Sequence, residues 1–224
     1  MSIKHIIFDC DGVLVDSEPL SMRVDVAILA ENGIVISESE AHARFVGKTF
    51  AAMIDDMSRE HGVTFPRDAS AVKDRRLLEL YEKELQAVEG VLDALHKIRL
   101  DGHSVASNSP ADRVAASLRI AGLTPFFGTR ITTFEHVRHG KPEPDVFIEA
   151  ARRAGFAASR CLVVEDSVTG VTAAMRAGCT VLGFTGTHGE PVQHGVRLQA
   201  AGAAAVFAHM PALPALVSSF LDQD

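Results

Sequence analysis

Ile3-Lys-His-Ile-Ile-Phe8 runs straight into Asp9-Cys-Asp11-Gly12. An apolar run of this kind suits a strand buried on both faces, as in a parallel sheet. Its end passes directly to two carboxylates and a glycine. Similar runs recur at 103–106, 161–164 and 180–184. Each follows a segment of helical spacing that ends near glycine. Leu92, Leu95 and Ile98 precede Gly102; Val114 and Leu118 precede Gly122. Phe147, Ile148 and Ala151 precede Gly155, while Val168, Val171 and Met175 precede Gly178. The glycines are expected as left-handed helix C-caps. Helix and strand alternating in this way predict an α/β fold, a doubly wound and mainly parallel sheet.

Residues 18–87 interrupt the alternation. Leu20, Val24, Ala27 and Ile28 share one helical stripe, as do Phe50, Ile54 and Met57, then Leu78, Tyr81 and Leu85. Gly33, Gly47, His61-Gly62 and Pro66 punctuate these pieces. The expected organisation is an α/β domain formed by 1–17 and 88–224, with 18–87 inserted as a helical subdomain.

Bulk properties narrow the function. A formal net charge of -7 argues against a nucleic-acid partner held by phosphate neutralisation. A phosphorylated small molecule stays compatible, because a bound divalent cation reverses the sign locally. Cys10, Cys161 and Cys179 match no zinc spacing and are expected as buried packing residues. With no disulfide framework, no room for a signal-peptide core before Asp9 and no membrane-length apolar run, the expected compartment is the cytoplasm and no membrane partner is expected. Monomer is the default expectation for oligomeric state.

Four segments carry the chemistry. In open α/β sheets, ligands bind beyond the carboxyl ends of the strands, and all four segments sit at such ends. Asp9 can attack phosphorus, while Asp11 protonates the leaving oxygen and later deprotonates water. Gly12 removes bulk where the chain turns close to substrate. Ser107 and Asn108, at a helix start, form a natural phosphate cradle. Lys141 offers a point charge to the carboxylate and to the phosphoryl oxygens. Glu165 and Asp166 repel each other unless a cation is present, and hard oxygen ligands suit Mg²⁺. Each segment alone has a plainer reading as loop aspartates, helix-start residues or a solvated lysine.

Asp9-Cys-Asp11-Gly12-Val-Leu-Val-Asp16-Ser17-Glu18, Ser107-Asn108, Gly140-Lys141-Pro142-Glu-Pro-Asp-Val-Phe147 and Val164-Glu165-Asp166-Ser167-Val-Thr-Gly170 resemble the motifs of the haloacid dehalogenase (HAD) superfamily. The resemblance covers essentially the whole chain and is strongest to small phosphatases and phosphomutases with a helical cap. It implies a Rossmann-like core and a movable cap closing over a Mg²⁺-dependent site. By that resemblance Asp9 is the nucleophile and a metal ligand. Asp11 is the general acid/base and lends its carbonyl to the metal. Ser107 and Lys141 hold the transferring group, Asp166 binds the metal, and Glu165 contributes through a water or secondarily.

The second aspartate separates this chain from true dehalogenases and from phosphonate-cleaving relatives, and favours a small phosphate monoester as substrate. In relatives of the β-phosphoglucomutase type, a cap histidine stands where this chain has Ser21. The arginine that grips a distal phosphate falls in a region reading Gly47-Lys48-Thr49-Phe50. These departures favour hydrolysis over mutase activity, the alternative. The cap segments look more like bacterial sugar-acid phosphatases of the 6-phosphogluconate type. Lys48, with Arg44, is the candidate for a distal carboxylate or hydroxyls. A non-catalytic sugar-phosphate sensor would be expected to lack one of Asp9, Asp11, Lys141 or Asp166, and none is missing. His188 is expected as a surface-loop histidine.

Overall fold

The computed structural model describes residues 2–45, 49–98, 100 and 102–221. Two compact units emerge, one formed by Met1–Asp16 with Gln86–Asp224 and the other by Ser17–Leu85.

The first unit is built on strands β1 (His5–Phe8), β2 (His103–Ser107), β3 (Ile131–Thr133), β4 (Cys161–Glu165), β5 (Thr180–Phe184) and β6 (Ala205–Phe207). Their spatial order is β3-β2-β1-β4-β5-β6, and every pairing is parallel. The chain winds from β1 toward β3, then crosses to β4 on the other side of β1. The switch point therefore lies between β1 and β4, where open sheets bind their ligands. Ile7 faces Ser104 on one side and Val163 on the other.

The second unit holds helices α1 (Glu18–Glu31), α2 (Glu38–Phe45), α3 (Phe50–His61) and α4 (Ala69–Glu84). Leu29, Phe45, Met53 and Met57 form its apolar core. Inside it, Lys73 Nζ lies 2.7 Å from Asp25 Oδ1, and both side chains are nearly covered. Helices of the first unit are α5 (Val91–Lys97), α6 (Ala111–Ile120), α7 (Thr124–Phe127), α8 (Asp145–Ala154), α9 (Val168–Ala177), α10 (Pro191–Ala201) and α11 (Leu213–Leu221).

Strands β1, β2 and β4 are buried along their length, as expected for a sheet covered on both faces. Ile7, Val163 and Val181 pack with Val146, Phe147 and Ala150 of α8 and Val171 and Ala174 of α9. Another buried cluster joins the rings of Phe8, Phe127 and His103. All three cysteines are buried and free.

Several local expectations are corrected. β3 and β6 are three residues each, too short to show a period in sequence. Gly155 and Gly178 are left-handed helix caps. Gly102 is not, because α5 ends at Lys97 with Ile98 as its cap. A Cβ on Gly102 would lie 3.1 Å from His5 Nδ1, so the position makes room for that ring. Leu92, Ile148, Val168 and Met175 are partly exposed. The other members of those stripes, Leu95, Ile98, Phe147, Ala151 and Val171, are buried, together with Val91, Ala94, Val146, Ala150 and Ala174. Among the described residues, no helix is long and apolar enough to cross a membrane.

Candidate active site

Asp9 directly follows β1, and its N–H donates to the carbonyl of Val164 at 2.9 Å. The sheet thus carries the first acidic loop against the end of β4. Gly12 sits at φ +79°, and a Cβ there would lie 2.2 Å from Asp166 Oδ2. Only glycine lets the two acidic loops approach this closely.

Lys141 reaches the same place from the loop between β3 and α8. Asn108, beyond β2, holds its backbone from both sides. The amide oxygen accepts from Lys141 N at 2.8 Å, and the amide nitrogen donates to Lys141 O at 3.0 Å. Asn108 was expected to reach substrate, yet both ends of its amide serve Lys141. The lysine Nζ donates to Asp9 Oδ1 at 2.5 Å and to Glu165 Oε1 at 2.6 Å. Its charge also lies 5.0 Å from the centre of the Phe147 ring.

Glu165 is fully buried, and its other oxygen accepts from the N–H and hydroxyl of Ser167 at 2.9 and 3.0 Å. A Cβ on Gly170 would lie 1.7 Å from Glu165 Oε1, so the carboxylate rests directly on the first turn of α9. Asp166 is also buried. One oxygen from each of Asp9, Glu165 and Asp166 lies within 4.8 Å of the others.

Burial pushes the Asp9 carboxyl well above the ordinary range; Lys141 opposes this, while Glu165, Asp166 and Asp11 add to it. Burial also works against the Lys141 ammonium, but Asp9 and Glu165 outweigh it and the net shift is upward. A buried cluster of this charge is suited to a divalent cation, and its hard oxygen donors match Mg²⁺. Because Glu165 already spends both oxygens on Lys141 and Ser167, Asp9 and Asp166 are the side chains better placed to hold an ion.

Asp11 has a support that the sequence reading did not assign. Ser109 Oγ donates to Asp11 Oδ2 at 2.6 Å and accepts from Arg113 Nη2 at 2.8 Å. No motif in the sequence marks Ser109; its spacing of four from Arg113 was the available signal. Ser107 is buried, and its hydroxyl accepts the Ser109 N–H at 3.0 Å. The expected surface histidine, His188, is mostly covered, with Nε2 3.1 Å from Asp166 Oδ2. Thr187, beside it, donates its hydroxyl to Gly12 O at 2.9 Å. Lys48 and Gly47 lie outside the described residues. Arg44, within the helical unit, pairs with Glu60 and lies 5.1 Å from the Phe45 ring centre.

The model of the family described as haloacid dehalogenase-like hydrolase matches residues 3–178. The chain belongs to the haloacid dehalogenase-like hydrolases. It is an enzyme of that family, and its six-stranded parallel sheet is the family's Rossmann-like fold. It is 31% identical to a 6-phosphogluconate phosphatase of Escherichia coli over 216 residues, covering 96% of this chain and 94% of that one. A haloacid dehalogenase-like protein from Agrobacterium tumefaciens superposes with a TM-score of 0.85 at 34% identity, covering 97% and 98% of the two chains. An HAD family hydrolase from Deinococcus radiodurans, solved with bound phosphate and sodium, gives 0.79 at 31% identity, covering 100% and 99%.

Proposed function

We propose that this chain is a Mg²⁺-dependent phosphatase that hydrolyses a small phosphate monoester, a sugar phosphate or sugar-acid phosphate, through an aspartyl-phosphate on Asp9. The observation that carries the reading is the buried contact of Lys141 with Asp9 and Glu165, beside Asp166, at the switch point of the sheet. The phosphate bound by the Deinococcus relative and the name of the Escherichia coli relative support the substrate class.

In this reading a carboxylate oxygen of Asp9 attacks phosphorus as the ester P–O bond breaks. Asp11, as the acid, delivers its proton to the departing alkoxide. Asp11, now a carboxylate, takes a proton from water as that water attacks phosphorus. The Asp9–phosphorus bond breaks, phosphate leaves, and Asp9 is regenerated. Lys141 favours the charged form of Asp9 against the effect of burial, and would meet charge developing on the phosphoryl oxygens. Ser107, Gly12 and the backbone at Asn108 are in this reading the groups that would cradle the phosphoryl oxygens. Held by Asp9, Asp166 and the Asp11 carbonyl, Mg²⁺ would neutralise phosphoryl charge.

The test is phosphate release from para-nitrophenyl phosphate and from a panel of sugar phosphates and sugar-acid phosphates, with and without a chelator. Mg²⁺-dependent release that disappears in Asp9→Asn is expected. Equal inactivity of wild type and Asp9→Asn across the panel would defeat the reading. β-Glucose 1-phosphate belongs in the panel with a bisphosphate primer, since glucose 6-phosphate forming faster than phosphate would mark a mutase.

A further inference from the structure

We propose that His188 and His194 form a stacked clamp that fixes Asp166 for cation binding, His188 acting on the carboxylate and His194 on the peptide carbonyl. The inference rests on the reading of Asp166 as a metal ligand.

His188 Nε2 lies 3.1 Å from Asp166 Oδ2, and His194 Nε2 bonds the Asp166 carbonyl oxygen. The two rings stack with centroids 3.6 Å apart and planes 19° from parallel, so the position of one sets that of the other. The hydrogen positions follow from the partners. Arg197 Nη2 lies 3.3 Å from His194 Nδ1. A guanidinium only donates, so Nδ1 accepts and Nε2 carries the hydrogen given to the carbonyl. A charged carboxylate only accepts, so His188 Nε2 donates in the same sense.

The clamp comes from a part of the chain outside the four acidic and basic segments. His188 lies in the loop after β5, and His194 and Arg197 project from α10. That loop is anchored by the Thr185 N–H on Phe207 O at 2.9 Å and by the Thr187 hydroxyl on Gly12 O at 2.9 Å. Asp166 is therefore confined, with Gly12 against one side of its carboxylate and His188 on Oδ2. Its rotamer is set before an ion arrives, which removes an ordering cost from binding. His188 and His194 are positioning residues in this scheme, not ligands.

The experiment is calorimetric titration of Mg²⁺ into cation-free wild type, His188→Ala and His188→Gln, with a thermal melt of each cation-free protein. Outer partners of metal ligands typically carry 10- to 100-fold in affinity, and a loss of about that size is expected in His188→Ala with an unchanged melt. His188→Gln, which keeps an N–H donor, should recover most of it. Unaltered affinity in His188→Ala overturns the clamp and leaves the site reading standing. A loss of affinity accompanied by a lowered melt and not restored by glutamine also overturns it, since loop folding then accounts for the effect. Failure of wild type to bind Mg²⁺ overturns both.

Discussion

The ammonium of Lys141 lies 2.5 Å from the carboxylate of Asp9, across 132 positions of sequence. The same nitrogen reaches Glu165 at 2.6 Å, so one cation serves two buried anions. Removing it leaves those anions uncompensated. Lys141→Gln should lose about 3–5 kcal/mol of stability by chemical denaturation, the usual cost of stripping one partner from a buried pair. Activity should fall with it. Saturating Mg²⁺ should restore part of the stability, because an ion held at Asp9 and Asp166, as proposed, would replace the missing charge.

Ser109 predicts a substrate-dependent defect. Its hydroxyl donates to the Asp11 carboxylate, and in the proposed mechanism Asp11 would matter most when the leaving group needs a proton. Ser109→Ala should reduce kcat/KM on an alkyl phosphate by about 10- to 100-fold, less than the roughly 10²–10⁴-fold carried by a general acid itself, because Asp11 is still present. The loss on para-nitrophenyl phosphate, whose phenolate leaves readily, should be much smaller. Equal losses on both substrates would show that Ser109 does not act through Asp11. Ser109→Thr, which keeps the hydroxyl, should retain the wild-type ratio.

Gly170 is a steric test of the Glu165 position. A methyl group there would occupy space 1.7 Å from Oε1 and 1.9 Å from Cδ of that side chain. Glu165 must then shift and release Lys141. Gly170→Ala should cost about 1–3 kcal/mol, the range for overpacking a filled core. It should also depress turnover, acting only through Glu165, against which residue 170 packs. Unchanged kinetics would mean that Glu165 is not needed to hold Lys141.

Two buried histidines predict the acid side of the stability profile. Burial lowers both His5 and His103 to about 4. His5 Nε2 is hydrogen bonded to Ser104 Oγ at 2.8 Å, whereas His103 Nε2 has no hydrogen-bond partner among the described residues. The unfolded chain takes up these protons near 6.5 and the folded one only near 4. Their contribution is therefore complete above about 6.5 and disappears as pH falls toward about 4. Chemical denaturation across that window should show stability rising with pH. His103→Phe should flatten the rise without a large loss at neutral pH, since it removes a titrating nitrogen and keeps the ring packing against Phe8 and Phe127.

The long-period features of the fold were legible because burial imposes them residue by residue. The run into Asp9 had to be apolar to lie between β2 and β4. The helices before Gly155 and Gly178 had to end in a left-handed residue. Short edge strands escaped notice, since three residues show no period. The inward faces of α5, α8 and α9 were partly misassigned, as Leu92, Ile148 and Met175 show. Hydrophobic spacing gives a stripe; the angle at which a helix lies on its sheet decides which edge of the stripe is covered.

The identities and order of Asp9, Asp11, Ser107, Lys141, Glu165 and Asp166 are properties of the sequence alone. Their allegiances belong to the tertiary structure. Asn108 turned out to hold Lys141, Glu165 to be occupied by Lys141 and Ser167, and Ser109 to hold Asp11. His188 moved from an expected surface loop to the carboxylate of Asp166. Such assignments depend on distances of about an ångström between segments that only packing brings together. A linear pattern can name the groups, but the folded sheet decides which hydrogen bond each one makes.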